Sequence, residues 1–110
     1  MEKLSQKQCV PGRKDMQALD DEQKLKLKEQ LHEDWTLTQN NSHLERKFKT
    51  KNFKQAWDLL NLAAQVAEEQ NHHPELRLGW GYLEIEIWTH TISNLVESDF
   101  ILAAKYDELS

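Results

Sequence analysis

The chain has 110 residues, 38% of them apolar and 30% charged, and a formal net charge of −5. A chain of this size builds one core and has no apolar run long enough to cross a bilayer, so no membrane protein is expected. Its acidic balance argues against phosphate-driven nucleic-acid binding, which needs a basic patch to displace counterions. No secretory cleavage pattern opens the sequence and Cys9 is its single cysteine. A cytoplasmic protein is expected, without an internal disulfide, a thiolate zinc site or a Cys-x-x-Cys redox pair.

Residues 1–18 mix polar and charged side chains around Pro11-Gly12 without a sustained period, which predicts an extended or poorly ordered lead-in that does no chemistry. The domain itself is expected over 19–110. Asp20 followed by Gln23 reads as a capping box that opens a first helix, with Leu25, Leu27 and Leu31 as its apolar positions. Residues 35–38 and 42–49 read as two strands joined by the polar Gln39-Asn40-Asn41 turn. In the second, Leu44, Arg46 and Phe48 share one face, and His43, Glu45 and Lys47 share the other. His43 then reads as an exposed strand residue. Lys47, Lys49, Lys51 and Lys54 form a solvated basic face, or a surface for an anionic region of a partner.

A second helix is the best-defined element, because Phe53, Ala56, Trp57, Leu60, Ala63, Ala64 and Ala67 recur at offsets of three and four, a stripe that must cover a sheet. Leu59, Leu62 and Val66 add a second stripe, consistent with further core packing or with a subunit contact. Asn71 ends the helix, and Pro74 prevents its resumption by restricting His73 to extended geometry. Strands over 76–80 and 82–90 follow, with Gly79 and Gly81 marking a bend or bulge between them. Along the second of these strands Leu83, Ile85 and Ile87 face one side, and Glu84, Glu86, Trp88 and His90 the other. Glu97, Ser98 and Asp99 supply an acidic, capping start for a third helix that carries Phe100, Ile101, Ala104 and Tyr106 toward the core. The order α-β-β-α-β-β-α predicts an α+β fold: a four-stranded antiparallel sheet with helices packed on one face and an internal two-fold character.

Chemistry-bearing residues concentrate between Glu68 and Asp99, where three of the five histidines fall. Imidazole titrates near neutrality, so His72, His73 and His90 suit proton transfer. Glu68 stands four residues before His72, a spacing that lets a helical carboxylate reach and orient the ring. Asp99 would do the same for His90 if the third helix returned beside the strand. Other readings stay open on these residues: a polar helix cap made by His-His-Pro, or a metal site of histidines and a carboxylate. Adjacent histidines tend to point apart, and no compact His-x-x-x-His is present, which weighs against the metal. Trp80 and Trp88 offer an aromatic wall for a planar ligand, or simple packing. Nothing near Cys9 in the sequence lowers its pKa for nucleophilic catalysis.

The string Glu68-x-x-x-His72-His73-Pro74, with an aromatic residue at Trp80, then Thr89-His90-Thr91-Ile92 and Ser98-Asp99-Phe100-Ile101, resembles the signature of the pterin-4a-carbinolamine dehydratases. The resemblance covers roughly residues 19–108, including the family's order of elements. It implies a hydro-lyase that removes water from 4a-hydroxytetrahydropterin, leaving quinonoid dihydropterin, without metal or redox cofactor, the pterin being the substrate. Such a step recycles tetrahydrobiopterin for an aromatic amino-acid hydroxylase such as phenylalanine hydroxylase. Carried over by residue, His72, His73 and His90 are catalytic. Glu68 and Asp99 support His72 and His90 respectively, and His73, Trp80 and Trp88 contact substrate. A homodimer or homotetramer is implied. Some bacterial relatives carry a second cysteine after the position of Cys9, whereas Val10-Pro11-Gly12 stands here. Some animal members also act as dimerisation cofactors of a homeodomain transcription factor, a role for which this sequence offers no feature. The competing readings are a regulatory or interaction module of the same fold, and an acid–base enzyme acting on a related reduced pterin.

Overall fold

A computed structural model describes residues 3–109. Met1 and Glu2 of the expected lead-in and Ser110 at the end of the expected domain lie outside the described residues. The elements are α1 (Asp21–Lys28), β1 (Thr36–Thr38), β2 (His43–Lys49), α2 (Phe53–Gln70), β3 (Glu75–Gly79), β4 (Tyr82–Ile87) and α3 (Glu97–Asp107), preceded by a 3-10 turn at Leu4–Gln6. The expected α+β order is present. The four strands form one antiparallel sheet in the order β1-β2-β4-β3.

Local chemistry accounts for most boundaries. Asp20 accepts from the Gln23 N–H at 2.8 Å while the Gln23 side chain accepts from the Asp20 N–H at 3.0 Å, the reciprocal box that starts α1. Asn52 caps α2 through the Gln55 N–H at 2.9 Å. Asn71 ends α2 in the left-handed region, φ 52°, and the His72 N–H reaches back to the Ala67 carbonyl at 3.2 Å. The β1–β2 connection holds three successive positive φ values at Gln39, Asn40 and Asn41, a conformation asparagine tolerates through its short polar side chain.

The predicted strand parity holds. Leu44, Arg46 and Phe48 of β2 and Leu83, Ile85 and Ile87 of β4 are buried on one face, where they meet Ala63, Phe100 and Leu102 of the helices in a single core. The Tyr106 hydroxyl donates to the Ala63 carbonyl at 3.1 Å and ties α3 to α2. Three sequence expectations change. Gly79 and Gly81 mark no bulge: pairing runs unbroken from Glu75↔Glu86 to Gly79↔Tyr82, leaving Trp80-Gly81 as a two-residue turn. A Cβ at Gly79 would run into the Tyr82 ring, which lies over it and would have to move. The last strand stops at Ile87, with Thr89 bridging Asn94, so His90 sits in a turn rather than in a strand. The predicted α2 stripe is only partly inward: Ala56, Ala63 and Ala67 are buried, whereas Phe53, Trp57 and Ala64 are exposed, as is Leu62 of the second stripe.

From Lys3 to Ala18 the chain holds only its 3-10 turn and a second turn at Lys14-Asp15, and it is tied down at several points. Leu4 is buried in the core, and Lys105 Nζ donates to the Ser5 carbonyl at 2.7 Å. The Val10 N–H donates to Ser98 Oγ at 2.8 Å, and Thr91 Oγ1 donates to the Arg13 carbonyl at 3.3 Å. The segment thus runs across the start of α3 to the turn that carries His90.

Candidate active site

Three chain turns meet at one rim of the sheet: the exit of α2, the turn after β4 and the start of α3. Between them lies a hollow of about 180 Å³ lined by Gly12, Asn71, His72, His73, Trp88, Thr89, His90 and Thr91. The three predicted histidines therefore converge. A larger cavity of about 590 Å³ lies elsewhere, beside Arg46, Phe48, Gln55, Leu59 and Leu62. It has no histidine in its lining, so chemistry rather than volume selects the smaller hollow.

Their supports differ from expectation. Glu68 does not hold His72; it pairs with Nε2 of His73, at 2.5 Å, on an exposed surface. The left-handed residue Asn71 breaks the helical period, so the i,i+4 rule no longer reaches His72, and the chain turns that ring inward. Asp99 does not hold His90 either. Its Oδ1 lies 2.6 Å from Nε2 of His72, and both groups are buried. Asp99 Oδ2 accepts from Thr89 Oγ1 and from the Val96 N–H, each at 2.8 Å. A carboxylate in the first turn of a helix, already accepting two donors, is a fixed acceptor. His72 Nε2 is accordingly the donor, and Nδ1 is left as the ring position that can exchange a proton.

His90 is exposed and lies flat against Trp88, with ring centroids 4.4 Å apart and planes 16° apart. Trp88 is half-buried and lines the hollow as expected. Trp80 does not: it occupies the turn before β4 while His90 follows β4, so the length of the strand separates them, and its side chain is 70% exposed. Residues to which the sequence assigned no role also take part. Thr89 is buried against Asp99, and Gly12 closes one wall, where an added Cβ would lie 3.1 Å from the Thr89 methyl. His43 is no free surface residue: it bonds Glu86 at 2.6 Å and stacks on Trp88. The shared outer-face parity of His43 and Trp88 was the available signal.

Cys9 is not set up as a nucleophile. Its thiol donates to the Ser98 carbonyl, and burial pushes its pKa up to about 11, away from the thiolate. Among the described residues no three His, Cys, Asp or Glu side chains are grouped so as to hold a metal ion. Among the same residues no helix is long and apolar enough to cross a membrane.

Fold and hollow together place three histidines on one rim of an α+β sheet. The family profile described as Pterin 4 alpha carbinolamine dehydratase matches residues 17–109. A relative from Alkaliphilus metalliredigens carrying that family name is 43% identical over 98% of this chain and 96% of its own. The mitochondrial pterin-4-alpha-carbinolamine dehydratase 2 of Arabidopsis thaliana is 42% identical over 96% of this chain, which spans 58% of the plant protein. Among solved structures, a transcriptional coactivator/pterin dehydratase from Brucella melitensis superposes with a TM-score of 0.78 at 25% identity, over 84% of this chain and 98% of that one. A pterin dehydratase-like protein identified as a RuBisCO assembly factor in the alpha-carboxysome gives 0.62 at 26% identity, over 71% and 90%. The chain belongs to the pterin-4a-carbinolamine dehydratase family, and a dehydratase of this kind is a hydro-lyase.

Proposed function

We propose that the hollow dehydrates a 4a-hydroxytetrahydropterin to quinonoid dihydropterin and water. The observation that carries this reading is the convergence of His72, His73 and His90 on one hollow. In the reaction the C4a–O bond breaks, and its electron pair leaves on an oxygen that an acid protonates to water. A base removes the proton from the adjacent ring nitrogen, whose N–H pair becomes the new C=N bond, so nothing is oxidised or reduced overall. His72, held by Asp99, and His90, lying on Trp88, are assigned the two protons, and His73 is assigned to substrate contact with a share in catalysis. Trp88 and His90 present aromatic surface at the hollow, suited to a flat bicycle. At about 180 Å³ the hollow suits the ring system alone, with its side chain left in solvent.

The physiological setting that follows is tetrahydropterin recycling in the cytoplasm for an aromatic amino-acid hydroxylase. Exposed Phe53, Trp57 and Leu62 on α2 support the expected homodimer or homotetramer, which light scattering measures directly. The solved relative identified as an assembly factor supports a second reading, an interaction module of the same fold. Dehydration of enzymatically generated 4a-hydroxytetrahydropterin, followed by ultraviolet absorbance with chelator-treated protein, separates the two. Acceleration by the wild type and a loss of about a hundredfold or more in His73→Ala is expected. No acceleration by folded protein would overturn the dehydratase reading in favour of the module or of another reduced pterin. A change confined to KM in both His72→Ala and His90→Ala would overturn the proton roles.

A further inference from the structure

The three histidines are not held alike. His72 has Asp99 and His73 has Glu68, each at hydrogen-bond distance. His90 has no side-chain hydrogen-bond partner among the described residues, and Trp88 is its sole ring contact there. What orients His90 is therefore whatever holds Trp88.

That holder is His43, at the start of β2. The register Leu44↔Ile87 sets His43 beside Trp88 on the face of the sheet away from the helices. The two rings lie 4.0 Å apart between centroids and 7° from parallel. His43 is itself pinned, because Nδ1 bonds Glu86 at 2.6 Å and Glu86 accepts from Arg77 Nη1 at 3.0 Å. Arg77 also donates to Glu45 at 3.2 Å. Burial pushes the Glu86 carboxyl up, but hydrogen bonds from His43 and Arg77 outweigh it and hold the group below the usual carboxylate range. A fixed anion at Nδ1 sets the imidazole's orientation, and hence the face it offers to the indole.

We propose that His43 is a positioning residue for His90, acting through Trp88. The physical advantage is specific to a ring in proton transfer. A carboxylate that orients an imidazole occupies one of its two nitrogens, whereas a stacked indole fixes the plane of the ring and leaves both nitrogens available. The catalytic consequence rests on the dehydratase reading; the geometric one does not.

The test uses full-length protein with His43→Ala and His43→Phe, read by the ring-proton NMR shifts of His90 and by kcat and KM. In the wild type the Trp88 ring current shifts the His90 ring protons upfield. In His43→Ala these signals move toward unstacked values, and kcat falls about tenfold with KM within about twofold. His43→Phe, which keeps an aromatic face for Trp88 but loses the Glu86 bond, restores part of both. Unchanged His90 signals and unchanged kcat in His43→Ala would overturn the proposal, as would a loss that Phe does not repair. If His43→Ala fails to fold, His43→Leu replaces it, filling the space without an aromatic face, with the same expected outcomes. Should the wild type show no dehydration, the functional reading falls while the NMR shifts still decide the positioning.

Discussion

Asp99 and Asp107 stand at opposite ends of α3, and each gathers a polar cluster from distant parts of the chain. Asp107 accepts from Arg46 Nη1 at 2.5 Å, Trp35 Nε1 at 2.7 Å and the His32 N–H at 2.9 Å. Asp99 accepts from Thr89, Val96 and His72. The chemistry of the two clusters differs. A guanidinium stays charged and an indole N–H only donates, so the Asp107 cluster can hold structure but cannot pass a proton. An imidazole can do both. The helix dipole sharpens the contrast, favouring a carboxylate in the first turn and opposing one at the last residue, where Arg46 offsets the penalty. One end of the helix is therefore free to serve a site while the other closes the core.

The largest expected effect is at the Asp99 end. Asp99→Asn gives the amide a donor where His72 needs an acceptor, so kcat should fall about a hundredfold in the absorbance assay, with KM changed far less. At the other end, Asp107→Ala leaves the Arg46 charge buried without this acceptor. It should lower stability by about 3 kcal/mol in urea unfolding while the folded fraction keeps its kcat. Glu68→Gln removes one member of an exposed pair, and kcat should stay within about threefold of wild type. The smallest effect concerns Cys9. Burial raises its pKa from 9.0 to about 11, so the folded state holds that proton more tightly than the unfolded chain does. Its contribution is intact below pH 9 and is lost as pH rises toward 11, so Cys9→Ala should flatten part of the alkaline fall in melting temperature.

Much of this architecture is written in local pattern. The box at Asp20 and Gln23, the stop at Asn71 and the alternation Leu83-Ile85-Ile87 each follow from interactions within a few residues. The three histidines were identifiable by type and by their resemblance to a family signature, but their supports were not. Glu68 and His72 have helical spacing, yet one left-handed residue between them hands the carboxylate to His73. Asp99 meets His72 across 27 residues, and no periodicity encodes that distance. Trp80 looked equivalent to Trp88 as an aromatic on a strand; a tight turn places it at the wrong end of β4. The lead-in looked inert because its order comes from side chains of α3, among them Ser98 and Lys105, that no local signal links to it.

In the proposed mechanism His72 donates through Nε2 to Asp99 and exchanges its proton at Nδ1. Long-range 1H–15N correlation of the His72 ring reads this tautomer directly. Above the titration of the ring, a protonated Nε2 and an unprotonated Nδ1, lost together with turnover in Asp99→Asn, is the predicted result. A neutral ring protonated at Nδ1 in the wild type would contradict the account, because Asp99 would then face a nitrogen with no proton to give.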